Sequence, residues 1–364
     1  MNISRHRISY YVNEITTVVF LWVFCSFLFV YVKFNDIPLD SLREIYELEP
    51  WMDRLWLYQY SILTGVPVGL IMGIINTFFY PLIIKTRNFL ISILVRIIIF
   101  ILLAATSSIV FLVLSDIEIN SLVHSGSSNM KKSLLDAVLF MIIIEIIVDV
   151  LVTVRRNLGK HYFRKFIRNS YFVPKEEQRV FIFTDLKNST QLVEELGGAV
   201  FSSFIQDCFQ DFSDLALDHG GEIYQFVGDE VVTTWKIDKY FQYENCIDLH
   251  FNFIKRLQAR SDYYFDKYGS VPEFRSSIHS GKVSAALVGK YKTEIAYHGG
   301  VLNLCSRMQS VCRDYNTNMI ISSDFYWQLG VNSEYEYVPI TNMELKGISG
   351  KQIVFRVLQT TEDT

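Results

Sequence analysis

Two aspartates, Asp185 and Asp229, carry the clearest chemical signal in the chain. Asp185 ends a β-branched and aromatic run, RVFIFT at 179–184, and Asp229 sits in a Gly-Asp-Glu turn between EIYQFV at 222–227 and VVTTW at 231–235. Carboxylates at a strand's end and at the tip of a neighbouring hairpin can converge on a pair of divalent cations that clamp both sides of a phosphoryl transfer. Magnesium suits such oxygen ligands and substrate phosphates. Aspartate is also common at strand ends and in turns for conformational reasons, so the pair needs support from elsewhere. Asn303 and Arg307 supply it: four residues apart in a pattern with Val301, Leu302, Leu304 and Met308, they share one helix face and can reach one ligand. Arginine offers phosphate a planar fork. Taken singly, Arg307 also reads as a solvated helix cation and Asn303 as a capping residue.

The scaffold for these residues follows from the hydrophobic pattern. After the strand ending at Asp185, a helical pattern runs from 191 to about 217, and the two strands flanking Asp229 form a hairpin. A second helix spans about 240–268, and a further strand covers 273–279. The order β-α-β-β-α-β is the split βαβ arrangement of ferredoxin-like sheets.

Composition points to a second, very different region. Of 364 residues 50% are hydrophobic and only 20% charged, and mean hydropathy is +0.23. That is more apolar than soluble domains usually are. Thirty-four Lys and Arg against 38 Asp and Glu give a net charge of −4, without the basic excess of a protein that tracks a phosphate backbone, so no nucleic-acid partner is expected. The five cysteines form no C-x-x-C pair and read as small buried hydrophobes in a reducing compartment. No G-x-x-x-x-G-K-[ST] occurs, so the phosphate site is not of the Walker type.

The apolar residues concentrate before position 155, in stretches at 15–32, 55–84, 89–114 and 134–154, each matching the roughly 18–20 residues a membrane-crossing helix needs. Four transmembrane helices are expected. Arg5 and Arg7, then Lys85 and Arg87, then Arg155, Arg156, Lys160, Arg164, Lys165 and Arg168 mark the inner side, whereas an acidic segment at 36–53 and a weakly charged loop at 115–129 fit the outer side. Both termini are then cytoplasmic, in a multi-pass protein of the cell inner membrane whose partner is the lipid bilayer. Arg96, Glu145 and Asp149 fall within spans. Charges at membrane depth need partners, and the two acids, four apart on one helix face, are placed to flank the guanidinium. The haem-ligating alternative is disfavoured because all seven histidines lie outside the apolar stretches. The loops are too short for a folded sensor, so an unknown ligand or partner of this region would bind within or between helices.

The stretches FIFTDLKNST, GGEIYQFVGDEVV, FRSSIHSGKVSAALVG, HGGVLNLCSRMQ and ELKGISGKQIVFRV, in that order, resemble the catalytic domain of class III adenylate/guanylate cyclases. The resemblance covers about 174–358. The apolar stretches and the basic, aromatic segment after them give an α-helical membrane domain at 1–154 and a juxtamembrane amphipathic connector at 155–173, to which the resemblance adds an α+β ferredoxin-like, palm-type catalytic domain at 174–364. The resemblance further implies that Asp185 and Asp229 bind two Mg²⁺ or Mn²⁺ ions per site, with the Leu186 carbonyl as an additional ligand. The amides of Lys187, Asn188, Ser189 and Thr190 would cradle phosphate. Asn303 would orient the ribose, Arg307 would stabilise charge at the α-phosphate during attack by the ribose 3′ oxygen, and Lys346 would grip the terminal phosphates. In the family the site forms between two catalytic domains, so one domain per chain implies a homodimer acting on a nucleoside triphosphate.

The sequence departs from the family where the base is read. Adenine-specific members usually have a Lys three residues before the Gly-Asp turn and an Asp or Thr three residues before the glycine that opens the Asn/Arg motif. Gln225 and Ala296 occupy those positions. Glutamine can both donate and accept, and alanine offers no side-chain hydrogen bond. ATP is the default substrate, with GTP and pyrimidine triphosphates as alternatives. The Asn188-Ser189 pair replaces the more usual Gly-Phe or Gly-Ser. Two further readings stay open: a diguanylate cyclase, suggested by VGDEVV but lacking the double glycine, and a catalytically silent nucleotide-binding membrane receptor.

Overall fold

A computed structural model describes residues 4–46, 53–79, 98–99, 101–102, 128–158, 171–330, 334–343 and 351–360. They fall into two compact units, Ile8–Lys160, and Met1–Arg7 with His161–Thr364.

The first unit is helical: α1 (Arg5–Phe34), α2 (Leu39–Tyr46), α3 (Arg54–Ile74), which runs on as a π-helical turn at Ile75–Phe79, and α4 (Ser128–Leu158). Asp53 caps α3 by accepting the Trp56 amide at 2.8 Å. Among the described residues two segments, Arg5–Phe34 and Arg54–Phe78, are long and apolar enough to cross a membrane, where the sequence suggests four. The fourth apolar stretch lies within α4; the third, with Arg96, lies almost wholly outside the described residues. Val18, Trp22, Met72, Ile144, Val148 and Val152 pack together. On the outer faces Phe20, Val32 and Leu63 remain about two-thirds or more exposed.

Two features of this unit escape the periodicity. Gly65, Gly69 and Gly73 form a ridge on α3, and a Cβ placed on them would lie 3.2, 2.8 and 3.2 Å from the Cα atoms of Val23, Val19 and Ile15 of α1. Small residues every fourth position let two backbones approach closely, which is how helices associate where apolar burial supplies little drive. The second is an ion pair between α1 and α4. Arg155 Nη2 lies 3.0 Å from Glu14 Oε1, Nη1 donates to Thr17 Oγ1 at 2.8 Å, and both charged residues are buried. The expected partners of Arg96, Glu145 and Asp149, are both buried on one face of α4.

The second unit contains β1 (Lys175–Leu186), α5 (Ser189–Leu196), α6 (Gly198–Asp218), β2 (Glu222–Val227), β3 (Glu230–Lys236), α7 (Glu244–Ala259), α8 (Ser261–Tyr268), β4 (Phe274–Val288), β5 (Glu294–His298), α9 (Gly300–Asp314), β6 (Met319–Ser322), α10 (Ser323–Tyr326), β7 (Tyr335–Met343) and β8 (Gln352–Gln359). The sheet order is β2-β3-β1-β4-β6-β8-β7, with β5 paired to β4; among the described residues only β4 and β6 are parallel. The expected β-α-β-β-α-β order is present. Each long expected helix is two. Gly197, at φ 75°, separates α5 from α6, a conformation glycine adopts without steric cost.

Alternation along β1 divides its side chains between two cores. Val180, Ile182 and Leu186 pack with Phe204, Phe212 and Phe253 of α6 and α7. Phe181 and Phe183 pack on the other face with Val301 and Cys305 of α9. Helix α9 is tied down there, because Ser277 Oγ donates to the Cys305 carbonyl and Gln309 Nε2 donates to the Phe183 carbonyl, both at 2.7 Å. At the start of β1, fully buried Arg179 is held by Glu177 at 2.9 Å and stacks 4.7 Å from the Tyr297 ring centroid.

The glycine ridge makes a specific demand. Gly69→Leu drives a side chain into the α1 backbone and should destabilise the first unit by about 1–3 kcal/mol, as overpacking usually does. Thermal unfolding of the detergent-solubilised protein, followed by tryptophan fluorescence because Trp22 adjoins Gly69, reads this out. An unchanged midpoint would mean that the helices do not approach as described.

Candidate active site

Asp185 closes β1 on the α9 face of the sheet, directly across the ladder from Arg275 of β4 and Glu230 of β3. Arg275 donates to Asp185 Oδ2 through Nε at 3.2 Å and Nη2 at 2.8 Å. Gly228, at φ 62°, turns the β2–β3 hairpin, and the Asp229 carbonyl accepts the Leu186 amide at 3.3 Å, which draws the hairpin tip to the strand's end. Burial raises the Asp185 carboxyl above its ordinary range; Asp229 adds to that while Arg275 opposes it. Glu230 is pushed up to about 7, first by burial and then by the charges of Asp185 and Asp229. Three carboxylates thus share one strand end with Arg275 as a bonded counter-cation.

This donor set fits divalent cations. The excess of negative charge calls for a cation, and Arg275 stands in for one. Among the described residues no three His, Cys, Asp or Glu side chains form a complete cage, so bound ions would take their remaining oxygens from backbone, water and substrate phosphate, as magnesium commonly does.

Next to the acidic centre, Ser189, Thr190, Val193, Phe201 and Asp229 line a cavity of about 570 Å³. It opens at the start of α5, where Asn188 makes no side-chain cap, leaving first-turn amides for an anion. Asn188 takes φ 54°, and asparagine is the residue that most readily replaces glycine in that region. The Lys187 amide is committed to the Glu273 carbonyl at 2.8 Å and its Nζ lies 3.1 Å from Glu273 Oε2, so the backbone donors narrow to the residues after it.

Asn303 and Arg307 do share one face of α9, and with His279, Lys282 and Asp324 they line a second cavity of about 480 Å³. Asn303 is exposed and Arg307 half-buried; the Arg307 Nη1 is buried without a hydrogen-bond partner, a donor in want of an acceptor. The two cavities have no lining residue in common. Gln225 and Ala296 are half-buried on β2 and β5 and line neither cavity. Their neighbours Tyr224 and Tyr297 meet edge to face at 5.0 Å, and both rings also pack against Phe181. Lys346 lies outside the described residues.

Sequence reasoning missed Arg275 and Glu230. Both were visible as residues, in FRSSIHSG and GDE, but nothing in those motifs says that they face Asp185. Only the antiparallel register does.

The family model for the adenylate and guanylate cyclase catalytic domain matches residues 173–359. Adenylate cyclase 2 of Rhizobium meliloti (strain 1021) is 31% identical over 195 residues, covering 54% of this chain and 54% of that protein. Adenylate cyclase 1 of the same organism is 25% identical over 207 residues, covering 55% of this chain and 30% of that protein. The matches thus span about half, or less, of these relatives' own length. Among solved structures, the adenylyl cyclase CyaB from P. aeruginosa aligns with a TM-score of 0.46 at 19% identity, over 52% of this chain and 98% of that one.

The carboxylate cluster predicts a titration in metal-free protein. Between the ordinary glutamate value of about 4.3 and about 7, native Glu230 keeps a proton that the unfolded chain has lost, so stability falls as pH rises through that window. Infrared difference spectra in EDTA should show a protonated carboxyl band titrating near neutrality, absent in Glu230→Gln. In Asp185→Asn the midpoint should move down toward the ordinary range; a midpoint that stays put would contradict their proximity.

Proposed function

The chain belongs to the class III adenylate and guanylate cyclase family, and on that premise we propose that it is a membrane-anchored, homodimeric nucleotidyl cyclase. It converts a nucleoside triphosphate, ATP by first preference, into the 3′,5′-cyclic monophosphate and pyrophosphate for second-messenger signalling. The observation that carries this reading is the separation of an acidic, cation-seeking centre from a cavity holding an unsatisfied arginine and an exposed asparagine on another part of the same domain. Two copies related by a twofold axis would join the acidic half of one to the arginine half of the other, twice.

In this reading Asp185 and Asp229, with the Leu186 carbonyl, hold two Mg²⁺ or Mn²⁺ ions. Bound there, the ions supply charge for the triphosphate and lower the pKa of the 3′ hydroxyl. Asn303 orients the ribose. The 3′ hydroxyl gives its proton to solvent water, and its oxygen bonds to the α-phosphorus as the bond to the bridging oxygen breaks and pyrophosphate leaves. Arg307 meets the charge that develops on the α-phosphate, where a preorganised donor contributes most. With Asp185 committed to cations, Arg275 would be free to donate to phosphate oxygens, as would the amides of Asn188, Ser189 and Thr190, and Lys346 would grip the terminal phosphates. ATP is favoured because both curated relatives are named adenylate cyclases. Ala296, with no side-chain hydrogen bond to offer, supports a second reading in which GTP or a pyrimidine triphosphate is also used.

Membrane anchoring rests on the two long apolar helices and the exposed apolar faces of the first unit. The distribution of Lys and Arg supports a cytoplasmic position for both termini.

Purified protein with Mg²⁺ or Mn²⁺ and ATP, GTP, CTP or UTP, analysed by mass, should yield a cyclic monophosphate from at least one of the four. Asp185→Ala and Asp229→Ala should abolish it, and Arg307→Ala should lower kcat about 10²–10³-fold. A linear or dinucleotide product, or undiminished turnover in either aspartate variant, would sink the assignment. Mixing Asp185→Ala with Arg307→Ala protein, each inactive alone, should restore about a quarter of wild-type activity, because half the dimers then hold one intact site of two. Failure of complementation among verified mixed dimers would place the whole site within one chain.

A further inference from the structure

Behind Asp185 and Arg275 the inward face of the sheet is interrupted by polar groups. Thr184 and Ser276 form the adjacent rung of the β1–β4 ladder, and their hydroxyl oxygens lie 2.8 Å apart. Ser276 Oγ also lies 2.8 Å from Nδ1 of His250, which reaches in from α7. All three residues are fully buried. Burial and the nearby Lys187 charge hold the His250 pKa down at about 3, so the ring is neutral, and its Nε2 has no hydrogen-bond partner. The surroundings are Ile182, Leu186, Phe253, Phe274, Ile278 and Met319, into which valine, alanine and phenylalanine would pack without leaving an orphaned nitrogen.

A buried polar trio in an apolar core constrains orientation more than it stabilises. Here it acts on one rung, and the next rung of the same two strands is Asp185 opposite Arg275. Hydroxyl pairing across the strands, anchored to a helix through the imidazole, fixes the pitch of both strand ends where the acidic centre begins.

We propose that Thr184, Ser276 and His250 form a positioning bridge that sets the geometry of Asp185 against Arg275 and, through it, the affinity of the acidic centre for divalent cations. These are positioning residues, since none touches the cation or substrate. The inference rests on the reading of Asp185 and Asp229 as cation ligands.

The test is a Mn²⁺ titration of the full-length protein in detergent, read by electron paramagnetic resonance of free Mn²⁺, which requires no turnover. Ser276→Ala and Thr184→Val should weaken Mn²⁺ binding about tenfold or more, as loss of outer-shell partners does at metal sites. His250→Asn, which keeps a hydrogen-bonding group near the Nδ1 position, should bind within about threefold of wild type, whereas His250→Phe should resemble Ser276→Ala. Leu215→Ala, a core truncation on α6 away from both cavities, serves as the stability control and should lower the thermal midpoint without changing Mn²⁺ affinity. Wild-type affinity in folded Ser276→Ala and Thr184→Val would overturn the bridge, as would an equal loss in the control. Should Ser276→Ala fail to fold, Thr184→Val and His250→Phe carry the same expectation. A wild type that binds no Mn²⁺ refutes the cation reading itself, whereas one that binds it while making no cyclic product refutes only the proposed reaction.

Discussion

Three carboxylates gathered at one strand end must be offset by a counter-charge or by a retained proton. Asp185, Asp229 and Glu230 are brought together by the β1–β3 and β1–β4 ladders and by the hairpin tip bonded to Leu186. Burial first, and their mutual repulsion after it, raise the Asp185 and Glu230 carboxyls. Arg275 relieves part of that repulsion. The same imbalance that makes the centre costly to fold is the one on which the proposed cation binding rests, so the stability cost and the proposed chemistry have one origin.

The rest of the second unit serves that geometry. Alternation sends Val180, Ile182 and Leu186 into the core under α6 and α7, and Phe181 and Phe183 into the core under α9. Asp185 follows the α9 parity and therefore emerges at the edge of the smaller core instead of being buried in the larger one. Helix α9 lies on that same face, yet Asn303 and Arg307 point away from the sheet because Val301, Cys305 and Met308 take the buried positions. One helix therefore closes a core on one side and offers an unsatisfied guanidinium on the other.

Much of this was legible beforehand. Period-two runs marked the strands around Asp185 and Asp229, and the four-residue spacing of Asn303 and Arg307 placed them on one helix face. What escaped was partnership. Arg275 is one cation among 34 Lys and Arg in the sequence, and its role depends on which residue of β1 lies opposite. The first unit teaches the same lesson: composition singled out Arg96, Glu145 and Asp149, whereas the ion pair on view joins Glu14 to Arg155, residues 141 positions apart that the patterns placed at opposite ends of that region. The glycines at 65, 69 and 73 look like helix-weakening residues until α1 is seen packed against them.

The sequence alone determined the type and chain order of the elements around Asp185 and Asp229 and the residue chemistry, because hydrophobic period, turn residues and motif spacing are local properties written along the chain. It also determined membership of the cyclase family, because five motifs in fixed order leave little freedom. Tertiary structure decided ladder register, the division between two cores and the separation of the two cavities. Those depend on contacts between residues tens to hundreds of positions apart, and a shift of one residue along β4 would turn Arg275 to the opposite face and leave Asp185 without its counter-cation.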